Sequence, residues 1–131
     1  MSVIDTLKDL RDQRDQMDNR IVEGIKQIED ELRELKLGIP LRIEVPFEGH
    51  LSYEKEGNRW KFMFDNTKFN HNETNVPLIN CSRRIRTVAV QYMPALIHSA
   101  IEAITEDIAE KAKAQKSLGE TFNLIQQIKG D

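Results

Sequence analysis

Asn80-Cys81-Ser82-Arg83-Arg84-Ile85-Arg86 is the stretch whose residue types are best suited to chemistry. A helix beginning at Arg83, capped by Asn80 or Ser82, would offer free N–H groups, the positive end of its dipole and guanidinium forks. All three favour an anion, a phosphate above all. Arg83 and Arg86 are three residues apart and share one helix face, whereas Arg84 points elsewhere. Cations at a helix N-terminus oppose the dipole, at about a few tenths of a kcal/mol each. Three together therefore call for a partner, either an anionic ligand or the carboxylates of residues 1–40, whose net charge is −3. The expected ligand site is Arg83 and Arg86, with Ser82 and Asn80 making polar contacts and Trp60 and Tyr53 giving an aromatic surface.

Catalytic constellations do not assemble from the remaining inventory. A phosphatase loop needs Cys-x5-Arg, but the sixth position after Cys81 is Thr87, and Arg86 falls one short. His50, His71 and His98 fall in a turn, a loop and a helix, and neither HExxH nor a paired Cys/His spacing occurs. Gly-rich phosphate loops are missing too. No enzyme activity, cofactor or metal is expected. Trp60, Phe62 and Phe64 alternate with Arg59, Lys61 and Met63, a pattern that stacks bases when the aromatics face out and fills a core when they face in. The core placement is expected for Phe62 and Phe64.

The elements that must position these residues follow from periodicity. Residues 3–37, within a helical segment 1–38, read as one long coiled-coil-like helix, capped by Ser2 with Asp5 and stopped by Gly38-Ile39-Pro40. Leu7, Arg14, Ile21, Ile28 and Leu35 recur every seven residues, with Val3, Leu10 and Met17 on the companion row. The seam then moves to Ile25 and Leu32. Asp5, Asp9, Asp12, Asp15, Asp18, Glu29 and Glu34 are expected on the solvated outer face. Such a helix would run about 50 Å, longer than a small domain is wide, so its seam must be covered, and both an antiparallel C-terminal helix and a second copy of the chain are expected to cover it.

Leu41, Ile43, Val45 and Phe47 alternate with polar residues and Pro46, and Lys55-Glu56-Gly57-Asn58 signals a hairpin. A three-stranded antiparallel meander is expected over 41–65. A polar loop follows over 66–80, rich in Asn66, Asn70, Asn72 and Asn75. Residues 82–129 then form a helical segment kinked at Pro94, with a tail helix beyond the weak point at Gly119. The whole, 1–131, is expected to be a single α+β domain. This order of elements is similar, in topology only, to that of small dimeric nucleoid-associated proteins and, more loosely, of prefoldins.

The composition narrows the functional class. With 22 acidic and 19 basic residues the chain carries −3, and residues 41–90 carry eight basic against six acidic side chains. That small excess is little for bulk nucleic-acid binding, which scales with the phosphates neutralised. No apolar run approaches a membrane span. A lone cysteine, and a Met1 opening directly onto a charged helix, predict a cytoplasmic setting. The expectation is a non-enzymatic homo-oligomer, a dimer or higher. It would act as a protein-interaction module, or as a binder of a small phosphorylated ligand such as a nucleotide. The alternative is a dimeric nucleic-acid-binding protein of the nucleoid-associated kind.

Overall fold

The computed structural model describes residues 2–66 and 75–130. Asn70, Asn72, His71 and Glu73 of the polar loop lie outside the described residues. By its internal contacts the chain divides into two compact units, Met1–Ile97 and His98–Asp131.

The first unit opens with α1, Val3–Leu35. Ser2 is its N-cap, and the Ser2 hydroxyl accepts from the Asp5 N–H at 3.1 Å. The helix ends two residues short of the sequence expectation. Lys36 itself takes the left-handed conformation (φ 53°) and donates its N–H back to Arg33 O, which closes the helix before Gly38 is reached. Ile25 and Leu32 of the shifted seam are buried, whereas Val3, Leu7, Leu10, Met17, Ile28 and Leu35 of the seven-residue rows remain exposed. The shift therefore selects which stripe meets the sheet. Glu29, expected on the solvated face, lies between Ile25 and Leu32 on that stripe and is only 6% exposed.

Strands β1 (Leu41–Val45), β2 (Gly49–Glu56) and β3 (Arg59–Asp65) form the antiparallel meander. Leu41 stands opposite Tyr53 and Tyr53 opposite Phe62, while Ile43, Leu51 and Phe64 form the next row. Period-two alternation places these residues on one face, and Leu41, Leu51, Tyr53, Phe62 and Phe64 are all buried. Full burial of such a side chain contributes on the order of 1.5–3 kcal/mol. Gly57 (φ 62°) occupies the first central position of the two-residue β2–β3 turn, where hairpins of this kind need a positive φ.

The sheet has four strands rather than three. Val76–Pro77 forms β4, pairing Phe64 with Val76 and Met63 with Pro77. Two residues are too few to display alternation, and Pro77 has no N–H to extend the ladder. The segment expected as loop over 66–80 thus ends in a short edge strand and a 3-10 turn, Leu78–Asn80, whose Leu78 is fully buried.

Helix α2 (Arg83–Val90) and helix α3 (Met93–Gly130) follow. The interruption falls at Gln91 and Tyr92, not at Pro94. Pro94 sits in the first turn of α3, where its missing N–H would have had no helical acceptor. Helix α3 continues unbroken through Gly119, so the tail is not a separate helix. Ala89, Met93 and Leu96 complete the buried core of the first unit. In the second unit, Ile101, Ile108, Leu118, Phe122 and Ile125 are exposed along α3. Among the described residues no helix is long and apolar enough to cross a membrane.

Candidate functional site

Ser82 caps α2 by accepting from the Ile85 N–H at 3.3 Å, so its hydroxyl is engaged in the fold. The three arginines that follow fan out in three directions. Arg83 lies 3.1 Å from Asp15 and 3.4 Å from Asp18, both on α1. Arg84 pairs with Glu48 in the β1–β2 turn through two nitrogens, one at 2.8 Å. Arg86 turns back and donates to the carbonyls of Cys81 at 2.6 Å and Ile79 at 3.4 Å. The dipole conflict at this helix start is thus answered from within the chain, by carboxylates for two arginines and by backbone carbonyls for the third. The bond from Arg14, and after it the charge and bond of Arg83, hold Asp15 below the usual carboxylate range against the opposing effect of desolvation.

These contacts tie α2 to α1, to the β1–β2 turn and to the 3-10 turn. Arg86→Ala should cost about 1–2 kcal/mol by leaving two part-buried carbonyls without their donor. Arg84→Ala, which removes an exposed guanidinium, should cost less. Urea unfolding of the two variants checks the order.

The expected site residues do not converge. Asn80 and Ser82 border a pocket of about 280 Å³ with Asn66, Cys81 and Ile85. Arg83 borders another with Arg14, Asp18 and Arg84. Tyr53 and Trp60 line a third, of about 310 Å³. The three pockets have no lining residue in common.

Around the third pocket stand residues that the sequence reading did not join. The Tyr53 and Trp60 rings stack, with centroids 5.4 Å apart and planes inclined by 25°. Leu32, Arg33 and Lys36 come from the end of α1, and Arg59 from the start of β3. An adjoining pocket of about 250 Å³ shares Arg33 and Arg59 and adds Lys26, Glu29, Asp30 and Lys61. The two pockets together are lined by five cations and two carboxylates.

Glu29 and Arg33, one helical turn apart, occupy the edge of β3 that the short β4 leaves uncovered. Glu29 accepts from the Phe62 N–H at 2.7 Å, and Arg33 donates to Trp60 O at 2.7 Å. In this way α1 supplies the acceptor and donor that a longer neighbouring strand would have given. Burial raises the Glu29 pKa, opposed by the Phe62 N–H and by the charges of Arg33, Lys61 and Arg59. The sequence signal for Glu29, though not for Arg33, was the i, i+4, i+7 run of Ile25, Glu29 and Leu32, which threads one acid through an apolar stripe.

No protein-family model, curated protein or solved structure matches the chain.

Proposed function

We propose that the protein works by binding, as a homo-oligomeric interaction module without catalysis of its own. The observation that carries this reading is the apolar flank left open along α1. Leu10, Met17, Ile28 and Leu35 lie roughly 40–80° round the helix from the buried Ile25–Leu32 stripe, at about 100° per residue. Leu10 is 55% exposed, Met17 60% and Leu35 66%. Val3 and Leu7 add apolar surface toward the N-terminus, both exposed. A helix packed on a sheet by one stripe and apolar on the adjoining one has a second surface to cover. A second copy of the same helix fits it, because the seven-residue spacing is that of a helix–helix seam. Across a two-fold interface about ten such side chains, each contributing on the order of 1–2 kcal/mol, would offset the entropy lost on association.

The arginine cluster supports the same reading. An anion at Arg83 and Arg86 would have to displace Asp15, Asp18 and two carbonyls, whereas a structural clamp leaves them as they are.

Native mass spectrometry of the full chain tests the proposal, because subunit count and retained ligands are read together. A discrete oligomer is expected at micromolar concentration. Leu10→Glu with Met17→Glu should dissociate it roughly 100-fold more readily, since two carboxylates from each copy would be desolvated at the seam. A wild-type chain that stays monomeric at tens of micromolar would sink the reading.

A further inference from the structure

We propose that the cleft between the end of α1 and the start of β3 binds a small phosphorylated ligand with a planar ring, of the nucleotide class. Trp60 would lie against the ring, and Arg59 and Lys36 would hold the phosphate. The site is distinct from the arginine cluster of α2 and from the apolar flank of α1.

Three observations converge. The first is charge. Of the two carboxylates in the paired pockets, Glu29 is directed to the Phe62 N–H and Asp30 to Arg33. Arg33 is itself committed to Trp60 O, and Lys61 pairs with Glu56 at 3.3 Å. Lys26 pairs with Glu23 at 3.8 Å. Among the described residues Arg59 and Lys36 make no ion pair, so the positive excess is concentrated on two exposed side chains. The second is shape. About 310 Å³ lies at the lower end of the range for small-molecule pockets, adequate for one nucleotide and too small for a folded partner's side chains in number. The third is the floor. Tyr53 is buried and backs one face of Trp60, which fixes the indole at the pocket wall beside Leu32. A stacked aromatic next to exposed cations is the arrangement that recognises a base and its phosphate together. Asn58 of the hairpin turn also lines the cleft, where its amide can hydrogen-bond a ring edge.

Trp60 is the sole tryptophan of the chain, so its emission reports the site directly. The full-length protein is titrated with ADP, and separately with adenosine, inorganic pyrophosphate and a single-stranded thymidylate dodecamer. ADP is expected to quench Trp60 saturably and to bind more tightly than adenosine or pyrophosphate. Arg59→Gln and Lys36→Gln, both at exposed positions, should each weaken ADP roughly tenfold, the loss of one charge-assisted contact. Arg83→Gln should leave the titration unchanged.

Quenching absent at millimolar ADP overturns the proposal, as does ADP binding that ignores both substitutions. Pyrophosphate binding as tightly as ADP would remove the role of Trp60. A dodecamer that binds far more tightly than ADP, with an affinity falling steeply in salt, would make the cleft part of a nucleic-acid surface instead. Circular dichroism of each variant separates lost binding from lost fold.

Discussion

Glu29→Ala should lower the stability of the first unit by about 3 kcal/mol, the combined effect of a lost charge-assisted bond and a buried N–H left without an acceptor. The Phe62 N–H has no strand partner on that edge, because β4 pairs only with Met63 and Phe64. Glu29→Gln should recover most of the loss, since the amide oxygen accepts the same bond. The pH dependence distinguishes the two groups further. The folded-state pKa of Glu29 is raised, first by burial, so the folded chain holds this proton more firmly than the unfolded one. Stability contributed by Glu29 is then highest below its ordinary value of 4.5 and declines as pH rises toward the raised value, after which it is flat. Subtracting the Glu29→Gln curve from the wild-type curve should leave a slope of that sign and window. Urea unfolding between pH 4 and 8, about the range over which carboxyls with raised pKa values titrate, makes the measurement. A flat difference would show that burial does not disfavour the carboxylate there.

Gly49→Ala should be damaging for a different reason. Gly49 begins β2 with φ 143°, and a Cβ built there would lie 2.1 Å from the backbone oxygen of Asp65 and 2.9 Å from Asn66 Cα. Neither atom can swing aside as a flexible side chain would. The substitution must separate the β1–β2 corner from the end of β3, and a cost of about 3 kcal/mol or more is expected from strain and overpacking together. Gly57→Ala is the control. It also forces a positive φ (62°), yet nothing lies within 4 Å of the added carbon, so roughly 1 kcal/mol of backbone strain is all it should cost. Equal urea midpoints for the two variants would refute the contact argument.

The contrast between these two glycines bears on what could be read in advance. Gly57 announced itself, because a hairpin signal between two alternating strands is local. The demand on Gly49 comes from Asp65 and Asn66, which only the β2–β3 register brings near. The candidate cleft divides in the same manner. Arg59, Trp60 and Lys61 were visible as a basic–aromatic alternation, and Tyr53 as part of an aromatic surface with Trp60. Lys36 and Arg33 had no such mark, since basic residues in the last turn of a helix are also what its dipole prefers. The partners of Arg83 lie on α1, 68 residues away in the case of Asp15, beyond the reach of any periodicity.

By itself the sequence determined the elements that rest on local chemistry. Ser2 and Ser82 cap their helices through side-chain oxygens set three residues before the N–H they satisfy. The alternation of Leu41, Ile43 and Val45 set one face of β1 toward the core. The shift of the apolar seam from Leu10 and Met17 to Ile25 and Leu32 marked the stripe that packs, with Ile28 left outside. Tertiary structure alone decided which charged groups are spent inside the fold. A two-residue β4 leaves the edge of β3 open, and backbone groups there must be paired or exposed to water. Glu29 is buried to meet that need, with Arg33 half-buried beside it, and the arginines of α2 are drawn to carboxylates and carbonyls. Beyond the helix caps, pairing these groups is a long-range condition, with partners 27 to 68 residues apart, and residue spacing along one chain segment does not encode it.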